Sequence, residues 1–160
     1  MGAGKTTVGR LLAARLGLPF ADTDVVIEQR AGRPIREIFA TEGEPGFRAL
    51  EHQVTAELLA GPEAVLALGG GSVQHPATRR ALGGHDVVYL EVGYAESMDR
   101  VGRDEFRPML RNPGLEEIFR QRLASYQAVA AHTVSTDGRP PEAVCQDIMA
   151  RLPQVTDTHR

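Results

Sequence analysis

The chain has 160 residues, 42% of them hydrophobic and 24% charged, with 18 basic against 21 acidic side chains and a formal net charge of −3. That length suits one compact domain around one core, and the charge balance gives no electrostatic footprint for a nucleic-acid or acidic-membrane partner. Cys145 is the single cysteine, so no intrachain disulfide is possible, and no apolar run approaches the roughly 20 residues that span a bilayer. No signal peptide is legible, so the expectation is a cytoplasmic monomer. With aromatics at 5% and no tryptophan, the core must rest on Ala, Val, Leu and Ile. Lys5 is the only lysine. Arginine grips phosphate and carboxylate bidentately where lysine cannot, although a high-GC genome explains an arginine bias equally well.

Helix-period and strand-period segments alternate along the chain, which predicts α/β architecture with a parallel sheet. A first helix is expected over Thr6–Leu16, stopped by Gly17. A short strand, Pro19–Ala21, follows and runs into Asp22-Thr23-Asp24. Two short helices, Val25–Ala31 and Ile35–Ala40, are separated by Gly32 and Pro34. Glu44–Leu59 reads as a longer helix with Phe47, Leu50, Val54 and Leu58 on one face. Ala64–Leu68 is an unbroken apolar run, as suits a strand buried on both faces, and it ends in Gly69-Gly70-Gly71. A short helix from Pro76, a buried strand over Val87–Val92 and a helix over Tyr94–Val101 come next. Gly102–Gly114 is polar, Arg-rich and interrupted by prolines, the pattern of a loop. Leu115–Ala131 returns to helix, Thr133–Ser135 is a short strand, and Pro141–Leu152 is the last helix. Cys145 falls within it, as core filler rather than nucleophile. One domain over residues 1–152 and a polar tail over 153–160 account for the chain.

Met1-Gly2-Ala3-Gly4-Lys5-Thr6-Thr7 is the second half of the phosphate-loop pattern G-x-x-x-x-G-K-S/T. Glycines let backbone N–H groups turn inward around a β-phosphate, and the helix that follows presents its positive end to the anion. Lys5 reaches the β/γ oxygens and the Thr6 hydroxyl can hold Mg²⁺. The pattern's first Gly falls upstream of Met1, so the strand that feeds the loop is expected to be missing from this sequence.

Asp22 and Asp24 close a strand, at the edge where α/β sheets bind ligands. One carboxylate can act on Mg²⁺ through water while the other orients or deprotonates an acceptor hydroxyl. Asp24 also fits an N-cap for the helix starting at Val25. The glycine triplet allows a ligand close to the backbone, or forms a plain turn. Arg48, beside Phe47, could grip an anionic substrate or be a solvated helix residue. Arg103, Arg107 and Arg111 could close over a nucleotide as a lid and stabilise transferred phosphoryl charge, although each taken singly reads as solvated.

In order, GAGKTT, DTDVVIEQRAG, IFATEGEPGFRALE, LALGGGSV, VVYLEV, RPML and the R-x-x-x-Y of Arg122–Tyr126 resemble the shikimate kinase family from Gly2 to about Leu152. The resemblance implies a three-layer P-loop kinase fold with a parallel sheet in the family order 2-3-1-4-5. It implies transfer of the ATP γ-phosphoryl group to the 3-hydroxyl of shikimate, with Mg²⁺, in aromatic amino-acid synthesis. Carried over by position, Gly2, Ala3, Gly4, Lys5, Thr6 and Thr7 resemble the nucleotide loop, with Lys5 the phosphate lysine and Thr6 the metal ligand. Asp22 resembles the residue acting on Mg²⁺ through water, and Asp24 the one that holds and activates the acceptor hydroxyl. Arg48 and Arg122 resemble the pair that grips the shikimate carboxylate, and Gly69, Gly70 and Gly71 the lining of that pocket. Arg107 resembles the lid arginine, while Arg100, Arg139 and Pro141 fall where the family surrounds adenine. Glu51, one turn after Arg48, is placed to hold it.

Read from residues alone, the chain is a P-loop phosphotransferase with a small anionic acceptor. A kinase of another hydroxy acid such as gluconate, or a non-catalytic nucleotide-binding relic, stay open. A GTPase switch does too, but no guanine-specificity motif supports it.

Overall fold

The computed structural model describes residues 2–101 and 114–153. Helix α1 (Lys5–Leu16) leads into strand β1 (Phe20–Asp22), and α2 (Thr23–Ala31) and α3 (Ile35–Leu59) carry the chain to β2 (Val65–Ala67). A single 3₁₀ turn, Ser72–Gln74, precedes α4 (Pro76–Ala81) and β3 (Val88–Glu91). After α5 (Tyr94–Val101) come α6 (Leu115–Val129), β4 (His132–Ser135) and α7 (Pro141–Arg151). Parallel neighbours need a crossover long enough to return the chain to the same end of the sheet. Helices supply both crossovers here. The pairs are β1 with β2, in register Asp22↔Ala67, and β3 with β4, in register Glu91↔Ser135.

The family order 2-3-1-4-5 without its first member leaves the pairs 2-3 and 4-5, and those are the two pairs observed. Among the described residues each strand is bonded on one side only. Val65 of β2 and Val88 of β3 nevertheless pack against one shared core of Val8, Leu12, Leu90, Val134, Val144, Cys145 and Ile148. Cys145 is fully buried there, as its place in an amphipathic helix predicts. The expectation that the β2 run is buried on both faces needs correction: Val65 and Leu66 are half-buried and only Ala67 is enclosed. A strand with a neighbour on one edge alone leaves its outer residues accessible.

A second cluster joins the acceptor-side helices. Ile27 of α2 meets Ile38, Phe47 and Val54 of α3, with Leu50 and Leu58 packed alongside. Burying each of the large side chains contributes about 2 kcal/mol. The stretch expected as two separate helices, Ile35–Ala40 and Glu44–Leu59, is one run broken at Gly43, whose φ of 68° and ψ of −178° are not helical. The break is what lets Ile38 before it and Phe47 after it reach the same cluster.

α2 begins at Thr23 rather than Val25, so Asp24 lies in its first turn and not at its cap. Of the Arg-rich segment, residues 102–113 lie outside the described residues, as do 154–160 of the tail.

Candidate active site

The phosphate loop is built by two glycines in the left-handed region, Gly2 at φ 63° and Gly4 at φ 81°, with Gly4 as the N-cap of α1. Among the described residues no side chain caps α1, and the positive end of its dipole faces the loop. An N-terminus of this kind suits an anion. Thr6 and Thr7 are exposed there and Lys5 is half-exposed beside them.

Thr6 reaches across to the end of β1, where its hydroxyl donates to Asp22 Oδ2 at 2.7 Å. The other carboxylate oxygen, Oδ1, accepts from the Asp24 N–H at 3.0 Å and so caps α2. Asp22 is therefore the cap that the sequence reading gave to Asp24. Thr6 and Asp22 together offer a hydroxyl and a carboxylate in contact at the phosphate-loop end of α1. These are hard oxygen donors of the kind Mg²⁺ takes, usually one or two from protein with the rest from water and phosphate. The donor set fits the ion.

The parallel register places Gly69, Gly70 and Gly71 just past the end of β2, next to Asp22. The triplet is threaded between charged side chains. A Cβ on Gly69 would stand 2.5 Å from Glu51 Oε1 and 3.0 Å from Asp24 Oδ1. One on Gly71 would stand 2.2 Å from Arg48 Nη1, and one on Gly70 would face Tyr126 Oη at 3.5 Å and Arg122 Nη1 at 4.0 Å. Asp24, Arg48 and Arg122, from α2, α3 and α6, thus converge on three consecutive glycines.

Glu51 is buried, with 3% of its surface exposed, and binds Arg48 Nη1 through Oε2 at 2.6 Å. Its Oε1 accepts from the Ser72 hydroxyl at 2.9 Å. A buried carboxylate is tolerable only when paired and hydrogen-bonded, and here both oxygens are. The Thr23 hydroxyl accepts from the Gly69 N–H at 3.0 Å, and the Tyr126 phenol donates to the Gly70 carbonyl at 2.5 Å. Burial pushes the Tyr126 phenol above its ordinary value, opposed by the Arg122 guanidinium against it. Tyr89, stacked on Tyr126 with centroids 5.2 Å apart, is pushed up to about 12, first by burial and then by Glu91.

On the far side of the phosphate loop, Arg100 donates to the Gly2 carbonyl at 3.2 Å, to the Thr136 hydroxyl at 3.1 Å and to the Thr136 carbonyl at 2.8 Å. It also pairs with Glu96. Arg139 follows closely, its N–H bonded to the Thr136 carbonyl at 3.2 Å and its guanidinium to Asp147 at 3.0 Å. Arg151 and then Arg139 hold the Asp147 carboxyl below its ordinary value. Pro141 opens α7 next to them.

A family model described as shikimate kinase matches residues 1–153. This chain belongs to the shikimate kinase family. The shikimate kinase of Thermobifida fusca is 50% identical over 159 residues, covering 98% of this chain and 92% of that protein. The one from Mycobacterium avium is 48% identical, covering 99% of this chain and 92% of the relative. Among solved structures, shikimate kinase from Acinetobacter baumannii in complex with shikimate superposes with a TM-score of 0.86 at 39% identity, over 93% of this chain and 86% of that one. The Aquifex aeolicus enzyme superposes at 0.84 with 30% identity, over 94% and 90%.

The candidate residues of the family therefore fall into two groups on either side of Thr6. Gly2, Ala3, Gly4, Lys5, Thr6, Thr7, Arg100, Arg139 and Pro141 lie toward the loop and the β4–α7 connection. Asp24, Arg48, Gly69, Gly70, Gly71 and Arg122 lie around the glycine turn. Asp22 joins the two. Arg107, and with it Arg103 and Arg111, lies outside the described residues. Sequence reasoning did not give roles to Ser72, Thr23, Tyr126 or Tyr89. The signal for Tyr126 was present: Arg122 and Tyr126 stand four apart, on one helix face.

Among the described residues no helix is long and apolar enough to cross a membrane.

Proposed function

We infer from family membership that the chain transfers the γ-phosphoryl group of ATP to the 3-hydroxyl of shikimate, a step of aromatic amino-acid biosynthesis, with Mg²⁺ as the metal. Asp24 orients the acceptor hydroxyl and takes its proton as the oxygen bonds to the γ-phosphorus. The bond from that phosphorus to the β–γ bridging oxygen breaks, and ADP leaves. Lys5 and the N–H groups at the start of α1 hold the β- and γ-phosphate oxygens, which accumulate charge as transfer proceeds. Thr6 and Asp22 would hold Mg²⁺, Asp22 through water, and the ion would supply neutralisation of phosphate charge. Arg48 and Arg122 clasp the acceptor carboxylate from two helices, with Gly69, Gly70 and Gly71 admitting the ring close to the backbone. Arg100, Arg139 and Pro141 flank adenine, and Arg107 closes over the nucleotide.

One observation carries this reading: a carboxylate and two guanidinium groups from three helices meet on a side-chain-free turn beside the phosphate loop. Such a set matches a small acid bearing hydroxyls. Because one chain supplies every member, a monomer suffices. The requirement for ATP supports a cytoplasmic location.

The test is ADP release with shikimate and with gluconate as acceptors, for wild type, Lys5→Met and Arg122→Ala. Release that depends on shikimate, collapses in Lys5→Met, and shows a raised shikimate KM in Arg122→Ala is the expected outcome. Preference for gluconate would reassign the acceptor. Nucleotide binding without acceptor-dependent release would make the chain a binding module.

A further inference from the structure

The geometry points to Tyr126 as a positioning residue that sets the orientation of one peptide unit in the acceptor turn. This rests on the reading above that the glycine turn is the acceptor site.

The Ser72 N–H donates to the Gly69 carbonyl at 3.0 Å, so Gly69-Gly70-Gly71-Ser72 is a hydrogen-bonded β-turn with Gly70 and Gly71 at its centre. Gly71 has φ −100° and ψ −8°, the values of the third position of a type I turn. A type II turn spans the same end points with the central peptide turned over, and it needs positive φ at that third position. Glycine reaches positive φ at no steric cost. Two adjacent glycines therefore leave the Gly70–Gly71 peptide free to adopt either face, and the sequence of the turn itself cannot choose.

Tyr126 makes the choice from outside. Its hydroxyl donates to the carbonyl of that same central peptide, Gly70 C=O. The peptide is planar and trans, so fixing the carbonyl on Tyr126 turns the Gly71 N–H to the opposite side. The carbonyl lone pairs are thereby occupied by a donor instead of being presented to an anionic acceptor. Tyr126 is itself fixed by its stack on Tyr89 of β3. It stands one helical turn from Arg122, so the same side chain ties α6, and the guanidinium it carries, to the turn. The bond links the two arms of the proposed carboxylate clasp, since Gly71 at the other end of the peptide is pressed against Arg48.

The experiment compares Tyr126→Phe with wild type and with Arg48→Ala. Phenylalanine keeps the ring against Tyr89 and removes only the donor. A net hydrogen bond lost between neutral groups predicts a rise in shikimate KM of about three- to tenfold, with kcat and the ATP KM changing by less than about twofold. The amide resonances of Gly70 and Gly71 should shift or broaden in the ligand-free variant as the second turn form becomes populated. Unchanged shikimate KM in Tyr126→Phe together with a raised one in Arg48→Ala would overturn the role of Tyr126 alone. Unchanged values in both would overturn the acceptor-site reading beneath it. A Tyr126→Phe protein that fails to fold, or whose ATP KM rises in parallel, would make the residue structural and also end the proposal.

Discussion

The Thr6 hydroxyl donates to the Asp22 carboxylate at 2.7 Å, and this contact joins the start of α1 to the end of β1. The same carboxylate receives the Asp24 N–H at 3.0 Å. One side chain thus touches the phosphate loop with one oxygen and starts the acceptor-side helix with the other. The spacing between the nucleotide and acceptor groups is set by Asp22, because Asp24 cannot shift without breaking the cap.

These two jobs are separable by substitution. Asparagine caps a helix about as well as aspartate, whereas alanine costs about 1 kcal/mol. Asp22→Asn is therefore expected to melt close to wild type while losing the charge that favours a divalent ion. The Mg²⁺ concentration for half-maximal rate should rise about tenfold or more, since the carboxylate that holds the ion through water becomes a neutral amide. Asp22→Ala should show that rise and a lower melting temperature as well. Rate titrations against Mg²⁺, with thermal melts, check both; an unaltered Mg²⁺ dependence in Asp22→Asn contradicts the metal role.

The absence of a side chain at Gly71 is a requirement of Arg48. A Cβ there would fall 2.2 Å from Nη1 and 2.4 Å from Cζ of Arg48. The guanidinium cannot withdraw freely, because Glu51 holds it at 2.6 Å and Ser72 holds Glu51 at 2.9 Å. Breaking such a buried pair strands a charge. Gly71→Ala is expected to raise the shikimate KM by at least about tenfold, equivalent to about 1.4 kcal/mol, and to leave the ATP KM near wild type. Gly70→Ala is the internal comparison, since its Cβ would meet Tyr126 at an ordinary 3.5 Å. Steady-state kinetics with each substrate varied in turn distinguishes the two; equal effects at both positions would remove Arg48 from the explanation.

Local signals were legible wherever one rule dominates. Gly-Lys-Thr before an amphipathic run gave α1 and its loop, and Tyr94–Val101 was read with both boundaries correct because its apolar period is undiluted. The family pattern named Asp24, Arg48 and Arg122, which the fold brings together although they are far apart in sequence. What escaped were contacts made by burial rather than by motif. Thr23 carries no motif between its two aspartates, yet it is fully buried and its hydroxyl holds the Gly69 N–H. Ser72 carries no motif after the glycine triplet, yet its hydroxyl donates to the second oxygen of Glu51. Hydroxyl side chains satisfy whichever polar group the fold delivers to them, so their partners depend on tertiary structure that no local period encodes. The α2 boundary was misread for a related reason: both aspartates could cap, and only the meeting with Thr6 and the Asp24 N–H selects Asp22.

Gly43 supplies the last case, where backbone strain and substrate affinity are coupled. At φ 68° and ψ −178° it occupies a region that essentially only glycine enters. The two halves of α3 on either side bury Ile38 and Phe47 in one cluster, and the second half carries Arg48 and Glu51. Gly43→Ala is expected to cost about 1–3 kcal/mol in denaturant unfolding. Because relief of the strain would rotate the second half, the shikimate KM should rise as well, with the ATP KM unchanged. Gly84→Ala is the matched comparison. Gly84 also has positive φ, 95°, with open space around it, but it lies in the α4–β3 connection, away from Arg48. It should lose stability and keep its shikimate KM. If Gly43→Ala behaved in the same way, the break in α3 would serve the hydrophobic cluster alone and the orientation of Arg48 would have to be set entirely by Glu51.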